Sequence, residues 1–179
     1  ECGVRLVKIK RDGEQLAFAA PPLRRTGDVD AETLATIARG LGVQPQAIKA
    51  SQWVDNGPGW VAVMLGSRAE VLAIKPDYPA LGGLKLGVVA PWDPAKDGSE
   101  AQFEVRAFVS SLANEDPVTG SLNASVAQWL IGKGLAPASY IASQGTALGR
   151  AGRVHVQRAG DDIWIGGSVV TCIEGKLQL

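Results

Sequence analysis

Between residues 120 and 131 the chain carries no charged side chain. Leu122, Val126, Trp129 and Leu130 form one apolar stripe at helical spacing, and Ala124, Ala127 and Ile131 form another on a different side. A helix that is apolar or small nearly all round is buried instead of resting on a surface. The run before it, Asn114-Glu115-Asp116-Pro117-Val118-Thr119-Gly120-Ser121, combines a carboxylate, a proline and a small polar turn, which opens a helix. Its first amides lack partners and carry partial positive charge, which suits an anionic ligand.

Most of the remaining pattern is strand-like. Residues 4–10 alternate as a half-buried strand, 11–14 turn, and 15–20 return as a second strand. Pro21-Pro22 and Gly27 mark a linker. Asp30 caps a helix over 31–39 that buries Leu34, Ile37 and Ala38 and stops at Gly40 or Gly42. Strands are expected over 60–65, after the Asn56-Gly57-Pro58-Gly59 turn, and over 85–90 and 102–108, while 69–74 fits a short helix or a strand. After the apolar helix, 139–142, 153–157, 162–165, 168–173 and 176–179 read as short strands between glycine turns. Closely spaced short strands predict a curled sheet or barrel. The expected fold class is therefore α+β, a curled mixed sheet or barrel wrapping a central apolar helix. No internal repeat is visible.

Composition narrows the function. A chain of 179 residues with 46% hydrophobic content can build one ordinary domain, or one domain and a piece of another. Lys plus Arg and Asp plus Glu both total 18, so there is no basic excess of the kind that marks a nucleic-acid groove or a membrane-surface module. Cys2 and Cys172 sit at opposite ends without metal-ligand spacing. They fit a terminal disulfide or, better, reduced thiols of a cytoplasmic protein. With no 18-residue apolar run and no signal-peptide pattern, the expected location is cytoplasmic. The chain enters a hairpin directly after Glu1-Cys2-Gly3, which reads as a trimmed chain or as a missing first lobe.

The candidate residues have alternative readings. Asp116 before Pro117 is either a helix cap with proline at the first helical position or a site carboxylate. Thr119 reads as a capping or turn residue ahead of a ligand contact, Glu115 as a solvated or salt-bridged neighbour, and Arg106 as its structural partner ahead of a substrate contact. His155 alternates with Val154 and Val156 and so faces away from the core. Trp53, Trp60, Trp92, Trp129 and Trp164 read as core or lobe-interface residues.

The run Glu115-Asp116-Pro117-Val118-Thr119-Gly120-Ser121 resembles the signature of the PhzF-like family of phenazine biosynthesis, which has the diaminopimelate epimerase-like fold. Arg106-Ala107-Phe108, Ser143-Gln144-Gly145, Gly149-Arg150-Ala151-Gly152-Arg153-Val154 and Gly166-Gly167-Ser168-Val169-Val170 resemble the family in the same order. The resemblance implies two lobes, each wrapping a mixed sheet round a central helix, with the two helix N-termini facing across an active site. On that basis residues 1–22 resemble the tail of an absent first lobe and 23–179 the second lobe. The family's catalytic glutamate and its glycine-histidine pair belong to the first lobe, and no residue here matches them.

The resemblance also implies an isomerisation that moves a proton on a small carboxylate-bearing substrate without metal or organic cofactor. Asp116 matches the family's catalytic position in this lobe and Ser121 another site position, while Thr119 and Gly120 match the substrate-cradling backbone. Gln144 and Gly145, at a strand exit, are added as substrate-binding candidates. A proton-shuttling carboxylate works best with a pKa raised toward the working pH. The amides of Gly120 and Ser121 can hold a substrate carboxylate or a developing enolate, Gly120 permits close approach, and Ser121 can donate and accept at once. Two readings follow: the substrate-binding half of an isomerase or epimerase, or a non-catalytic lobe that binds a small anion or self-associates. In both, the chain alone is expected to be inactive and to dimerise. A first-lobe polypeptide is the other candidate partner, and neither nucleic acid nor membrane is expected.

Overall fold

The computed structural model describes residues 6–13 and 15–176, and its strands join one mixed sheet of eleven. In chain order these are β1 (Ile9–Asp12), β2 (Gln15–Ala19), β3 (Arg25–Gly27), β4 (Ala50–Asp55), β5 (Trp60–Met64), β6 (Lys85–Pro91), β7 (Phe103–Val109), β8 (Asn114–Asp116), β9 (Ser139–Gln144), β10 (Gly152–Ala159) and β11 (Asp162–Ser168). The helices are α1 (Ala31–Leu41), α2 (Arg68–Ala73), α3 (Pro94–Asp97) and α4 (Gly120–Gly132). Across the sheet the order is β1-β2-β11-β10-β9-β7-β6-β5-β4-β3, and β8 joins at β7. One edge of β7 is shared, since Phe103, Glu104 and Val105 pair with β9 while Ala107, Phe108 and Val109 pair with β8.

The sheet is open, so the fold is α+β and the barrel alternative fails. Its path ends at β1 and β3, which do not pair with each other among the described residues. Both end strands are short, and Lys10, Arg11 and Arg25 place positive charge on them, a pattern that discourages edge-to-edge pairing. The hairpin of β1 and β2 is seated in this sheet, because β2 pairs antiparallel with β11 from Trp164↔Ala19 to Ser168↔Gln15.

Two pairings are parallel, β5 with β6 and β7 with β9. A parallel pair needs a crossover connection, usually helical. In the first pair α2 supplies it, and in the second α4. Trp60 and Ala62 of β5, Val89 of β6 and Phe103, Val105 and Ala107 of β7 share a core with α4. Val61, Val63, Leu86, Val88, Ala90 and Phe108 share a second core with Ile37 and Leu41 of α1 and Val71 of α2. Strands covered on both faces read as unbroken apolar runs, which is why 60–65 and 85–90 stood out in the sequence.

Helix α4 touches β4, β5 and β11, strands from distant places in the sheet order. Eight of its 13 residues are buried, Trp129 and Leu130 among them at 3% and 0% exposure. Helix α1 begins at Asp30, whose Oδ1 accepts from the Thr33 amide at 2.8 Å and whose carboxyl is held below its usual range chiefly by that bond. It ends on Gly42, in the left-handed region at φ 66°. Residues 68–73 are helical because Ser67 caps the Glu70 amide while Glu70 reaches back to the Gly66 amide, an arrangement close to a capping box.

Four short elements depart from the sequence pattern. The Gly27 region, expected as linker, forms β3 against β4; α3 is a single turn capped by Asp93; and β4 and β8 were not anticipated. In the expected 168–173 strand, only Ser168 is in a ladder, and 169–176 has no regular structure. Val170 and Ile173 are 85% and 90% exposed, so β-branched residues without a partner strand do not form one. The strand expected over 4–10 begins at Ile9, and its first residues lie outside the described part, as do 177–179 and Cys2. Cys172 is exposed. Among the described residues no helix is long and apolar enough to cross a membrane.

Leu122 is fully buried, with its Cδ1 where a Cβ on Gly87 would fall, 2.5 Å away. Leu122→Ala should cost about 2–5 kcal/mol in chemical denaturation, the range for emptying a packed leucine site. A loss below about 1 kcal/mol would contradict the burial of α4.

Candidate functional site

The segment entering α4 is fixed from several sides. Glu115 lies on β8, opposite Phe108 of β7, and its two carboxylate oxygens accept from Nε and Nη2 of Arg106 at 2.9 and 2.7 Å. Both partners are buried, and Arg106 Nη1 also donates to the carbonyls of Val71 and Ile74 at the end of α2. A bidentate pair with its remaining donor satisfied is the arrangement in which burying two charges is tolerable. The structural pairing of Arg106 with Glu115 is thus the one present.

The chain then turns through Asp116, Pro117 and Val118 to Thr119, which is the residue at the N-cap of α4. The cap reading of Asp116 does not hold, since Asp116 is the last residue of β8. Nor does Thr119 act as a conventional cap, because its side chain makes no capping bond. Its hydroxyl lies 2.7 Å from Asp116 Oδ2 and donates to it. The Thr119 amide donates to Gln144 Oε1 at 3.0 Å, and the Thr119 carbonyl accepts from the Asn123 amide and from Asn123 Nδ2. The amides of Gly120 and Ser121 stand in the first turn, where no carbonyl lies one turn back.

Gln144 is fully buried. Besides the Thr119 amide, its Oε1 accepts from Asn123 Nδ2 at 2.7 Å, and its Nε2 donates to the Asp116 carbonyl at 2.9 Å and to Thr119 Oγ1 at 3.1 Å. Gly145 follows at φ +91°, and a Cβ there would stand 2.7 Å from the Pro117 carbonyl oxygen. Ser121 is bound from the other flank: Trp60 Nε1 donates to its hydroxyl at 3.0 Å, and Asn56 Nδ2 donates to its carbonyl at 2.9 Å. Asn56 Oδ1 is buried without a partner.

Beside this helix start lies a cleft of about 620 Å³. Its walls are largely apolar, with Leu16 and Phe18 of β2, Val154 of β10, Ile165 of β11, and Val118 and Gly120 at the mouth of α4. Phe18 stands over Gly120, where a Cβ would lie 3.3 Å from its ring. Asp116 is half-buried and Thr119 buried. The structure thus brings Asp116, Thr119 and Gln144 into one hydrogen-bonded unit, packs Gly145 against it, sets Gly120 on the cleft and fixes Ser121 from the β4–β5 turn.

Residues 2–175 match the family described as phenazine biosynthesis-like protein. The chain belongs to that family.

Among similar proteins of known sequence, antisense-enhancing sequence 1 of Schizosaccharomyces pombe is 27% identical over 98% of this chain and 65% of its own length. A Pseudomonas aeruginosa protein named as an uncharacterized isomerase is 27% identical over 97% of this chain and 61% of its own. The chain therefore spans less than two thirds of these relatives. A crystal structure of an Enterococcus faecalis phenazine biosynthesis protein of the PhzF family superposes with a TM-score of 0.68 at 23% identity, covering 96% of this chain and 60% of that one. At that identity the likeness concerns the fold.

Within this phenazine biosynthesis-like chain, three residues near the helix start were not anticipated from sequence: Asn123, Asn56 and Trp60 as partners of the segment 119–121. Asn123 carried a usable signal, being an amide in the middle of an otherwise apolar helix. Asn56 and Trp60 reach Ser121 across more than sixty positions, which no local pattern records. His155 is half-buried on β10. Among the described residues no group of three His, Cys, Asp or Glu is placed to hold a metal ion.

Gly145→Ala would impose a left-handed backbone on alanine and drive its methyl into the Pro117 carbonyl. It should destabilise the protein by roughly 1–3 kcal/mol, the usual cost of a strained backbone position, measured as a lowered denaturation midpoint. An unchanged midpoint would mean that β9 and the 116–119 turn are not in contact.

Proposed function

We propose that this chain is the substrate-binding half of an isomerase or epimerase that acts by proton transfer, without a cofactor, on a small carboxylate-bearing molecule. In this reading residues 1–22 form the tail of a first lobe and 23–179 a second lobe that wraps its sheet around α4. The observation that carries the reading is the start of α4. Thr119 spends its hydroxyl on Asp116 and leaves the first-turn amides uncapped beside an apolar cleft.

The division of labour follows from the chemistry. The amides of Gly120 and Ser121 hold the substrate carboxylate, and the same donors stabilise the enolate that forms when a proton leaves the adjacent carbon. Ser121 accepts from Trp60, which leaves its own proton free to donate to the ligand. Asp116, with Oδ2 tied to Thr119, uses Oδ1 to accept or return the proton. Moving a proton within one molecule is redox-neutral, so these groups and one further acid–base group suffice. Membership of the family and the name isomerase carried by the Pseudomonas aeruginosa relative support the reaction class.

A proton moved between two faces or two carbons needs a group opposite Asp116. We place that group in sequence outside this chain, which spans 65% and 61% of the two relatives described above. Alone, then, the chain binds and does not turn over. Ile9, Val118, Leu148 and Val169 are all exposed by 44% or more, and three of them line the cleft. Exposed apolar surface of this kind is ordinarily covered by a partner, either the first-lobe polypeptide or a second copy meeting it there.

Titrating acetate and benzoate into isotope-labelled protein should shift the amide resonances of Gly120, Ser121 and Leu122 ahead of any others. Shifts confined elsewhere would reduce the signature to an ordinary helix start. Analytical ultracentrifugation should find a homodimer, and a stable monomer at all accessible concentrations would contradict the self-association.

A further inference from the structure

We infer that Gln144 is a positioning residue that acts on Asp116 through Thr119, and not a substrate ligand. The inference rests on Asp116 as the reacting carboxylate of the reading above. Gln144 has no exposed surface, and all four of its hydrogen-bonding positions are used within the chain. A primary amide offers two donors and two acceptor lone pairs, so nothing remains for a ligand.

The orientation of this amide is forced. The Asp116 carbonyl can only accept and the Thr119 amide can only donate. The nitrogen of Gln144 must therefore face the first and its oxygen the second. That nitrogen also lies 3.1 Å from Thr119 Oγ1 and can only donate to it. A hydroxyl has one proton. With its oxygen receiving the Gln144 proton, Thr119 directs its own proton to Asp116 Oδ2, 2.7 Å away. The chain of bonds runs one way, from Gln144 to Thr119 to Asp116, and it fixes which carboxylate oxygen is occupied and which is free.

The same side chain explains the missing cap. An N-cap threonine normally accepts from an amide of the first helical turn. Here Gln144 holds the Thr119 backbone and hydroxyl in a different orientation, while Asn123, one turn into α4, braces both Gln144 and the Thr119 carbonyl. Gly145 and Gly152 permit this contact. A Cβ on Gly152 would lie 2.5 Å from the Gln144 carbonyl oxygen, and one on Gly145 would strike the Pro117 carbonyl.

The test is NMR of the chain alone at neutral pH, with the Asp116 side-chain carboxyl carbon and the Thr119 amide as reporters. Gln144→Leu should displace the Asp116 carboxyl resonance and speed hydrogen exchange of the Thr119 amide about tenfold, the loss of one buried hydrogen bond. Thr119→Val should displace the Asp116 resonance, and Thr119→Ser should leave it in place. The double variant Gln144→Leu with Thr119→Val should move it no further than Thr119→Val alone, as links in series require.

Gln144→Glu separates positioning from plain structural support, and it carries the test if Gln144→Leu does not fold. It keeps the acceptor and loses the donors, so it should displace the Asp116 resonance while the Thr119 amide stays protected. An Asp116 resonance unmoved by Gln144→Glu, or additive displacement in the double variant, would overturn the inference. No ligand enters this experiment, so its failure leaves carboxylate binding standing, and a failure of carboxylate binding leaves this result standing.

Discussion

A threonine hydroxyl can serve one acceptor, and at the start of α4 that acceptor is Asp116 Oδ2. The arrangement of the site depends on this choice. Had Thr119 turned its side chain to the first turn of the helix, it would have satisfied an amide there, and Asp116 would have lost the hydroxyl that holds Oδ2. Instead the carboxylate is anchored by one oxygen, and the positive end of a long buried helix is left to meet whatever enters the neighbouring cleft.

The packing makes that choice affordable. Helix α4 is the crossover between parallel strands β7 and β9, and its eight buried residues anchor it to the core well beyond its first turn. Its N-terminus need not be capped for the helix to persist, because tertiary burial supplies most of the stability of such a helix. On the other side of the turn, the Arg106–Glu115 pair and the β7–β8 ladder hold the approaching chain. Asp116 and Thr119 are thus set between two rigid elements, as the proposed binding role requires.

Much of this was legible in the sequence for reasons that can be stated. The absence of charge over 120–131 identified α4 and its burial, Asp30 and Gly42 bounded α1, and the apolar runs of β5 and β6 marked strands covered on both faces. The elements that escaped are those decided by distant partners. Asn114, Glu115 and Asp116 are polar and read locally as the lead into a helix, yet they form β8 against β7, where the Glu115 carboxylate meets the buried Arg106 side chain. Strand β4 mixes Ser51 and Gln52 with Trp53 and Val54 and shows no clean alternation. In the other direction, Val169 and Val170 have strand propensity but, among the described residues, no strand pairs with them. The seven-residue signature pointed to the segment that enters α4, whereas the link from Gln144 to Thr119, 25 residues apart, is visible only in three dimensions.

The central claim is that Asp116, at the uncapped start of α4, is one side of a proton-transfer site. It is tested most directly by following proton–deuterium exchange at carbon in small carboxylates in heavy water. The chain would be combined with the part of the Pseudomonas aeruginosa relative that it does not cover. The account predicts exchange in the combined sample, none with the chain alone, and its loss on Asp116→Asn with the fold retained. Exchange that persists undiminished in the Asp116→Asn variant would contradict it.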